Sequence, residues 1–308
     1  MNYCVLGNRA GAAPYNNRHP AAVALIAPGE VLLFDCGEGS VLQMQRASIR
    51  RGAVSAVFIT HRHADHCLGL LGLVAAFSSD RRSDPLTVVA PPEVNVWLRD
   101  SLTTLGIALE FELDYVDCTA TGADAAPREV FSSGAMRVFV APVDHRVPAF
   151  AFRCTTEAQP RIDIEALEAR GVEEGVQIGR LRREGRLTLA DGSDIFLEEF
   201  LLAPHPPTVF AYSGDTAPCE ALAEIARDAD VFVCEATFTA KYAERAAHTR
   251  HMTAAAAAVI AERAGVRQLV LTHFSTRYRD ALQHLAEARR RIPHVTAAVE
   301  LEILPLRP

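Results

Sequence analysis

The amino-acid sequence predicts an α/β fold in which two β-sheets pack together and helices cover them on the outside. Apolar runs of strand length, bounded by Gly and Pro, alternate with segments of helical spacing in both halves of the chain. The chain has 308 residues, of which 49% are hydrophobic, so it is long enough to bury a sizeable core. Two similar halves indicate two sheets, because each sheet must bury a face against another layer.

The first half is predicted to begin with strands. Its apolar runs are broken by Gly and Pro at Tyr3–Gly7, Ala21–Ala27 and Val31–Asp35. Gly37–Arg50 has helical spacing, whereas Val54–Ile59 is a β-rich run typical of a buried strand. Further strands and helices follow at His66–Phe77 (helix), Leu86–Ala90 (strand), Pro92–Leu105 (helix), Phe111–Val116 (strand) and Met136–Val143 (strand).

Residues from about 157 to 192 differ in character, being polar, charged and punctuated by Gly, with one short helical pattern at Ile164–Arg170. The segment is too long for an ordinary loop. We therefore expect a single domain over residues 1–308 that carries an inserted arm over about 157–192. Near its end the arm holds an arginine cluster, made of Arg180, Arg182, Arg183 and Arg186. Such a cluster either contacts phosphates or forms a solvated charged turn.

The second half repeats the alternation of strands and helices. Strands are predicted from short apolar runs at Thr208–Tyr212, Val231–Cys234 and Gln268–Leu271. Helices are predicted from apolar spacing at Pro218–Arg227, Thr253–Ala264 and Arg279–Arg291.

Composition excludes several classes of protein. A formal net charge of -7 gives no bulk attraction for nucleic acid, so such binding would depend on local basic groups. No apolar run reaches the roughly 18 residues of a membrane span, and the N-terminus lacks the pattern of a secretory signal. The seven Cys are scattered without a C-x-x-C pair, which is typical of reduced thiols. We expect a cytoplasmic protein without a membrane partner.

A dense set of metal-ligating side chains follows the predicted strand Val54–Ile59. The segment His61-Arg62-His63-Ala64-Asp65-His66 holds three His and one Asp within six residues. Side chains two residues apart point the same way from an extended backbone. Imidazole and carboxylate groups suit Zn²⁺ and, with more oxygen ligands, Mn²⁺. The segment predicts a metal site, whereas the alternative is a polar turn with coincidental histidines.

The metal motif is one of several blocks that occur in order along the chain. The others are the Gly/Pro loop from Leu6 to Arg18, LFDCGEG at Leu33–Gly39, RIDIEALEARGVEEG in the inserted arm, YSGDTAPCEAL at Tyr212–Leu222, CEATF at Cys234–Phe238 and LTHFSTRY at Leu271–Tyr278. Together these blocks resemble the tRNase Z family of the metallo-β-lactamase superfamily, the endoribonucleases that process tRNA 3′ ends. The resemblance implies the αββα four-layer sandwich of that superfamily, with the inserted segment as its exosite arm.

The resemblance also implies a site with two divalent metal ions, zinc or manganese. The implied ligands are imidazoles and carboxylates, in the order His61, His63 and His145 for one ion, Asp65, His66 and His273 for the other, and Asp215 bridging both. Asp65 would in addition act as the base toward water. Taken alone, His145 would be a surface or core histidine and Asp215 a turn residue. His273 ends an apolar strand, where ligands are common.

Four further residues have roles implied by the resemblance. His251 would protonate the leaving group and Glu235 would orient it. Arg277, with Ser275, would hold the scissile phosphate, because a guanidinium group matches phosphate oxygens. Without the resemblance, these residues are polar groups at helix starts, Thr253 capping the helix that follows His251. The remaining histidines match no ligand position and are expected to be structural or exposed: His19, His205, His248, His284 and His294.

The activity implied is an endoribonuclease that cuts precursor tRNA after the discriminator base. It would act as a homodimer in which the arm of one subunit grips tRNA for the other. The sequence departs from the family pattern at Arg250, Met252 and Cys234, and in the arm at Glu173–Val176. An alternative is a hydrolase of a small phosphodiester or ester-like substrate, since fold does not fix substrate. A third interpretation, a tRNA- or partner-binding protein with a silent site, is opposed by the complete ligand set.

Overall fold

The computed structural model describes residues 1–119, 126–157, 161–173, 175–204 and 206–307. The chain forms two compact units. The first consists of Met1–Thr155 together with Thr208–Pro308, and the second of Thr156–Pro207. The arm expected over about 157–192 lies inside the second unit, which continues to Pro207.

One sheet of the first unit has seven strands among the described residues, antiparallel at one side and parallel at the other. Glu30–Phe34 and Val54–Phe58 run parallel, so their carboxyl ends lie side by side. Both are rich in Val, Leu and Phe and almost fully buried, as strands covered on both faces are. In order across the sheet, the strands are Ile303–Pro305, Asn2–Gly7, Ala22–Ala27, Glu30–Phe34, Val54–Phe58, Leu86–Ala90 and Leu113–Asp117.

The other sheet of this unit also has seven described strands. Val209–Tyr212, Val231–Glu235 and Gln268–Thr272 run parallel to one another and end at the same edge. In order across the sheet, the strands are Val295–Ala297, Gln268–Thr272, Val231–Glu235, Val209–Tyr212, Ala149–Thr156, Met136–Val143 and Arg128–Ser133.

The two sheets face each other across an aromatic core. Phe34 stacks on Phe58 with ring centroids 4.9 Å apart, and Phe152 and Phe210 from the other sheet pack on Phe34 at 6.0 and 5.3 Å. One further core lies between each sheet and the helices that cover it. The unit is therefore the αββα four-layer sandwich that the family resemblance implies.

The helices of the first unit form the outer layers. On the first sheet pack Ser40–Arg46, Ala64–Ser79 and Pro92–Thr104. The second half supplies Glu220–Ile225, Ala243–Thr249, Ala254–Arg263 and Leu282–Ala288. Short 3₁₀ turns lie at Arg51–Ala53 and Ala240–Tyr242. Within the described ranges, no helix combines the length and the apolar character that crossing a membrane needs.

The helix predicted over Gly37–Arg50 is shorter in the structure, where it spans Ser40–Arg46. Gly39 before it has φ 85° and Ser48 after it has φ 56°. Both values lie in the left-handed region, which a continuous right-handed helix excludes. The prediction was right about the helix and wrong about both ends.

The second unit has a small core of its own, formed by Leu167, Val172, Ile178, Leu181, Leu187, Ile195 and Phe200. Its elements are the helices Ile164–Ala169 and Val176–Glu184, the 3₁₀ turn Leu197–Phe200, and strand pairs Arg161–Ile162 with Leu201–Leu202 and Arg186–Thr188 with Asp194–Phe196. In the arginine cluster, Arg180 pairs with Glu184 at 2.9 Å and Arg186 with Asp194 at 3.7 Å. These exposed pairs leave the guanidinium groups facing solvent.

Candidate metal centre

The predicted metal ligands lie where strands of the first unit end. His61 comes shortly after Val54–Phe58, and His273 directly follows Gln268–Thr272. His273 has φ 58°, a left-handed conformation that non-glycine residues adopt rarely and mostly where function requires it. Since these strand ends meet at one edge, ligands that are distant in sequence come together in space.

Three imidazoles bring ring nitrogens to one point. Nδ1 of His63 lies 2.9 Å from Nε2 of His61 and 3.2 Å from Nε2 of His145. A tetrahedral zinc ion with Zn–N bonds of about 2.0–2.1 Å separates its ligand nitrogens by about 3.3–3.4 Å. The three side chains are therefore close to the arrangement that such an ion requires.

Asp65, His66 and His273 form a second group. Oδ2 of Asp65 lies 3.5 Å from Nε2 of His273 and 3.9 Å from Nε2 of His66. The backbone N–H of Gly11 donates a hydrogen bond of 2.8 Å to the same carboxylate oxygen. A carboxylate and two imidazoles are a usual ligand set for a catalytic divalent ion.

Asp215 lies between the two groups and is 3% exposed. Its Oδ2 atom is 3.6 Å from Nε2 of His61 in the first group and 3.3 Å from Nε2 of His66 in the second. The structure thus brings all seven predicted ligands together in two adjoining clusters: His61, His63, His145 and Asp215, and Asp65, His66 and His273.

Two hydrogen bonds fix which nitrogen of His66 and His145 carries the proton. Nδ1 of His66 lies 2.6 Å from the carboxylate of Asp35, and Nδ1 of His145 lies 2.9 Å from the carbonyl oxygen of Arg250. Both partners only accept hydrogen bonds, so each Nδ1 must donate. When these imidazoles are neutral, the lone pair of each is then at Nε2, the nitrogen that faces the cluster.

Threonine hydroxyls fix His61 and His273 in the same way. The hydroxyl of Thr60 lies 2.9 Å from Asp35 and 3.0 Å from Nδ1 of His61. The hydroxyl of Thr237 lies 2.7 Å from Glu235 and 2.9 Å from Nδ1 of His273. Each hydroxyl donates to its carboxylate and accepts from Nδ1, which again leaves Nε2 unprotonated. Such outer hydrogen bonds orient metal-binding imidazoles.

The cluster contains buried polar atoms without a hydrogen-bond partner, among them Nε2 of His66, Nε2 of His273 and Oδ1 of Asp215. Buried polar atoms are normally satisfied, and an ion is one reason for an exception. A divalent cation would accept electron pairs from these atoms. The donor set therefore fits metal ions.

Charge within the cluster also favours a cation. Burial, together with the neighbouring imidazoles, lowers the pKa of His61 well below its usual value and that of His63 to about 4. Burial opposes ionisation of Asp65 and Asp215, but the surrounding histidines outweigh it and hold both pKa values well below the usual range. At His66, burial opposes protonation, but Asp215 and the neighbouring carboxylates outweigh it and raise the pKa well above the usual value. Ionised carboxylates and the neutral imidazoles of His61 and His63 are the forms that bind metal, whereas His66 would release a proton when an ion binds.

Asp35 belongs to the site, although the sequence assigns it no role. It is fully buried at φ 55° and directly follows the strand Glu30–Phe34. Its carboxylate accepts hydrogen bonds from His66, from the Thr60 backbone and hydroxyl, and from the hydroxyl of Tyr212 at 2.8 Å. Asp35 therefore supports one imidazole of each group. Its presence in the LFDCGEG block is the signal that could have identified it.

Glu235 and His251, predicted to act together, are joined in the structure. Nδ1 of His251 lies 2.9 Å from Oε1 of Glu235. Burial disfavours the protonated imidazole, but Glu235 and Asp215 outweigh it and raise the pKa of His251 to about 9. Oε2 of Glu235 accepts from Thr237 and from the Met252 backbone N–H at 3.1 Å. The His251 imidazole beside the cluster is therefore protonated at neutral pH. Thr237 is a partner of Glu235 that the sequence does not reveal.

Ser275 and Arg277 follow His273 on one loop, and the guanidinium group of Arg277 lies 3.4 Å from the hydroxyl of Ser275. This loop and the N-terminal loop, Asn8–His19, line a cavity of about 450 Å³. Four arginines line that cavity, which we name the basic pocket: Arg9, Arg18, Arg277 and Arg279. The sequence assigns a role only to Arg277.

Four of the remaining histidines are described by the structure, and all four lie outside the ligand clusters. His19 hydrogen-bonds to Glu300, and His284 is fully buried against the rings of Phe274 and Tyr278. His248 and His294 are exposed, and His205 falls outside the described residues.

Comparisons with known proteins identify the family to which the chain belongs. The family model of the β-lactamase superfamily domain matches residues 31–162 and 200–274. The chain is 37% identical to ribonuclease Z of Salinibacter ruber over 97% of this chain and 92% of the relative. It is 38% identical to ribonuclease Z of Myxococcus xanthus over 90% of this chain and 89% of the relative. Among solved structures, the short form of human tRNase Z matches with a TM-score of 0.72 at 22% identity, covering 100% of both chains.

Proposed function

Because this chain belongs to the ribonuclease Z family of the β-lactamase superfamily, we propose that it is a metal-dependent endoribonuclease that removes the 3′ trailer from precursor tRNA. The observation that carries the proposal is the pairing of the two ligand clusters with the arginine-lined basic pocket. Guanidinium groups recognise phosphate oxygens, and several together suit a polyanion better than a single small ester.

We propose that the two ligand clusters hold two divalent ions, zinc before manganese, because nitrogen donors outnumber oxygen donors. When bound, such ions stabilise negative charge on the phosphate and lower the pKa of the attacking water. The ion near His61 would be held by three imidazoles, and the other by Asp65 with two imidazoles. Asp215 would contact both.

Asp65 is proposed as the base. Its ionised carboxylate receives the Gly11 N–H, which holds it in place at the cluster. A carboxylate so placed takes a proton from water as the new O–P bond forms.

His251 is proposed as the acid. Its Nδ1–H donates to Glu235, so the proton available for transfer is on Nε2. As the bond between phosphorus and the 3′ oxygen breaks, that proton passes to the leaving oxygen. The products are tRNA with a 3′ hydroxyl and a trailer with a 5′ phosphate.

Ser275 and Arg277 are proposed to hold the scissile phosphate. They lie two and four residues after His273, so the loop that supplies a ligand also supplies the phosphate contact. Arg9, Arg18 and Arg279 extend the positive charge along the basic pocket, where flanking phosphates of the RNA would bind.

The test is cleavage of a 3′-extended precursor tRNA in parallel with bis-p-nitrophenyl phosphate, with Zn²⁺ or Mn²⁺ added. A single cut after the discriminator base supports the endoribonuclease. Turnover of the diester with intact precursor would instead indicate a hydrolase of small phosphodiesters. Failure with both substrates would contradict either activity.

We also propose that the protein acts as a cytoplasmic homodimer. Leu42 and Leu68 are 47% and 43% exposed on two helices that contact each other, Ser40–Arg46 and Ala64–Ser79. A contact with a second copy would remove this apolar surface from water. All seven cysteines are free, which suits a reducing compartment. Light scattering of the wild type and of Leu68→Arg tests the dimer: a wild-type monomer would contradict it.

A further inference from the structure

The N-terminal loop, Asn8–His19, is fixed to the metal site at one side. The backbones of Asn8 and Ala10 bond with the backbone of Phe274 at 2.8 and 3.1 Å, beside His273. Further along the loop, the Gly11 N–H donates to Asp65. The loop therefore touches both loops that supply ligands of the second group, and its position affects where Asp65 sits.

The same loop carries part of the basic pocket. Arg9 and Arg18 both line the cavity, and the guanidinium group of Arg18 donates to the carbonyl oxygen of Arg279 at 2.9 Å. Tyr15, between them, is 54% exposed, with the guanidinium carbon of Arg9 5.4 Å from its ring centroid. Without this loop, the pocket would lose half of its four arginines.

Glu300 joins the two ends of this loop. Its Oε1 atom accepts hydrogen bonds from the backbone N–H of Asn8 at 3.1 Å and of His19 at 2.8 Å. Its Oε2 atom lies 2.8 Å from Nδ1 of His19 and accepts from the amide of Gln43 at 3.1 Å. The side chain of Glu300 is only 10% exposed.

The main-chain neighbours of Glu300 hold it in place independently of its side chain. The Leu301 N–H donates to the carbonyl oxygen of Val5 at 2.9 Å, and the amide of Asn8 donates to the carbonyl oxygen of Ala298 at 2.9 Å. The backbone around Glu300 is thus held by its own hydrogen bonds, and the carboxylate accepts four more. Such a carboxylate holds its donors firmly, because hydrogen bonds to a charged acceptor are stronger than those between neutral groups. Removing it would leave several donors without an acceptor.

We propose that Glu300 is a positioning residue that clamps the ends of the N-terminal loop, so that Gly11 stays on Asp65 and Arg9 and Arg18 stay in the basic pocket. The clamp itself rests on the contacts above. Its effect on RNA cleavage rests on the proposed function. Glu300 lies outside every block that the sequence singled out and touches no reacting atom, so it acts through the loop.

The clamp is tested first without activity, by limited trypsin digestion of the full-length protein. Arg9 and Arg18 are the tryptic sites of the loop, and mass spectrometry identifies cuts there. We expect Glu300→Ala to be cut at these sites at least tenfold faster than wild type. The matched control is Glu302→Ala, an exposed acid two residues away, which should behave as wild type. Equal rates for Glu300→Ala and wild type would overturn the clamp.

Kinetics then separate positioning from general damage to the fold. We expect Glu300→Ala to lower kcat/KM for precursor tRNA at least tenfold, mainly through KM, and to lower diester turnover by a smaller factor. Glu300→Gln should recover part of the loss, because its amide oxygen can still accept from Asn8 and His19. Equal losses on both substrates with no recovery in Glu300→Gln would contradict a positioning role. If the wild type leaves precursor tRNA intact, the proposed function fails, whereas the digestion result still decides the clamp.

Discussion

Asp35 and His66 share a hydrogen bond of 2.6 Å between Oδ2 and Nδ1, and both side chains are buried. Through this hydrogen bond, the Asp35 carboxylate, which is not itself a proposed metal ligand, determines which nitrogen of His66 carries the proton. Asp35 also has φ 55°, a conformation that Asn tolerates. Asp35→Asn therefore removes the charge without straining the backbone.

We predict that Asp35→Asn weakens metal binding by about tenfold to a hundredfold, the usual effect of losing an outer partner of a ligand. The physical reason is a less basic and less well-oriented His66. Competition with a chromogenic chelator measures the affinity. Asp80→Asn, at an exposed ion pair with Arg51, is the control. Unchanged affinity in Asp35→Asn would contradict the role.

Asp65→Ala is expected to keep the fold and abolish hydrolysis. The residue is both a proposed ligand and the proposed base, and loss of acid–base assistance alone lowers rates by about 10²–10⁴. Circular dichroism and thermal unfolding check the fold, and kcat on precursor tRNA checks the activity. The control is Asp100→Ala, an exposed helical acid. A near-normal rate for Asp65→Ala would exclude it as the base.

The sequence predicts the local part of the site better than the long-range part. His61, His63, Asp65 and His66 occur in one short segment after a strand, so their proximity follows from strand geometry. His145 and Asp215 come from separate strand ends, and no local pattern shows that they converge. Only the family resemblance brings them into the ligand set before the structure does.

The residues that hydrogen-bond to the metal ligands, and the short strands, are harder to predict than the ligands themselves. Asp35 is 31 residues from His66, and an acid after a strand does not reveal which imidazole it will contact. The strand Ala149–Thr156 is not predicted, because its place depends on pairing with Val209–Tyr212. The pair Arg161–Ile162 with Leu201–Leu202 is too short for any periodicity to show.

The pH dependence of cleavage should depend on Glu235. Glu235 and Asp215 raise the pKa of His251 to about 9 against the effect of burial. An acid must be protonated, so activity should fall as pH rises through that value. Glu235→Gln removes one of the two charges and lowers the pKa of His251, so the falling limb should move to lower pH. The kcat–pH profile measures this, with His251→Ala as the variant that lacks the limb. A limb that stays in place in Glu235→Gln would contradict the assignment of His251.

Arg279→Ala should weaken binding of precursor tRNA in proportion to its phosphate contacts. Each contact that is lost should reduce the slope of log K against log salt by about 0.7 for a single-stranded segment. Binding is measured in an Asp65→Ala background, so that the RNA stays intact, over a range of salt concentrations. Arg245→Ala, exposed on another helix, is the control. An unchanged slope for Arg279→Ala would show that the basic pocket does not hold phosphate there.

Variants of the arm distinguish most clearly between activity on RNA and activity on a small substrate. Its Arg180 and Arg183 side chains are 59% and 73% exposed on the helix Val176–Glu184. Because they lie outside the core of the second unit, replacing both with Glu should leave that unit folded. If the arm docks tRNA, Arg180→Glu with Arg183→Glu should raise KM for precursor tRNA about tenfold or more, since two attractive charges become repulsive. Turnover of bis-p-nitrophenyl phosphate should stay at the wild-type level. The control exchanges the same charges for Lys, which keeps the attraction to phosphate. Equal KM values for the Glu and Lys variants would mean that this helix is a solvated surface and that tRNA docks elsewhere.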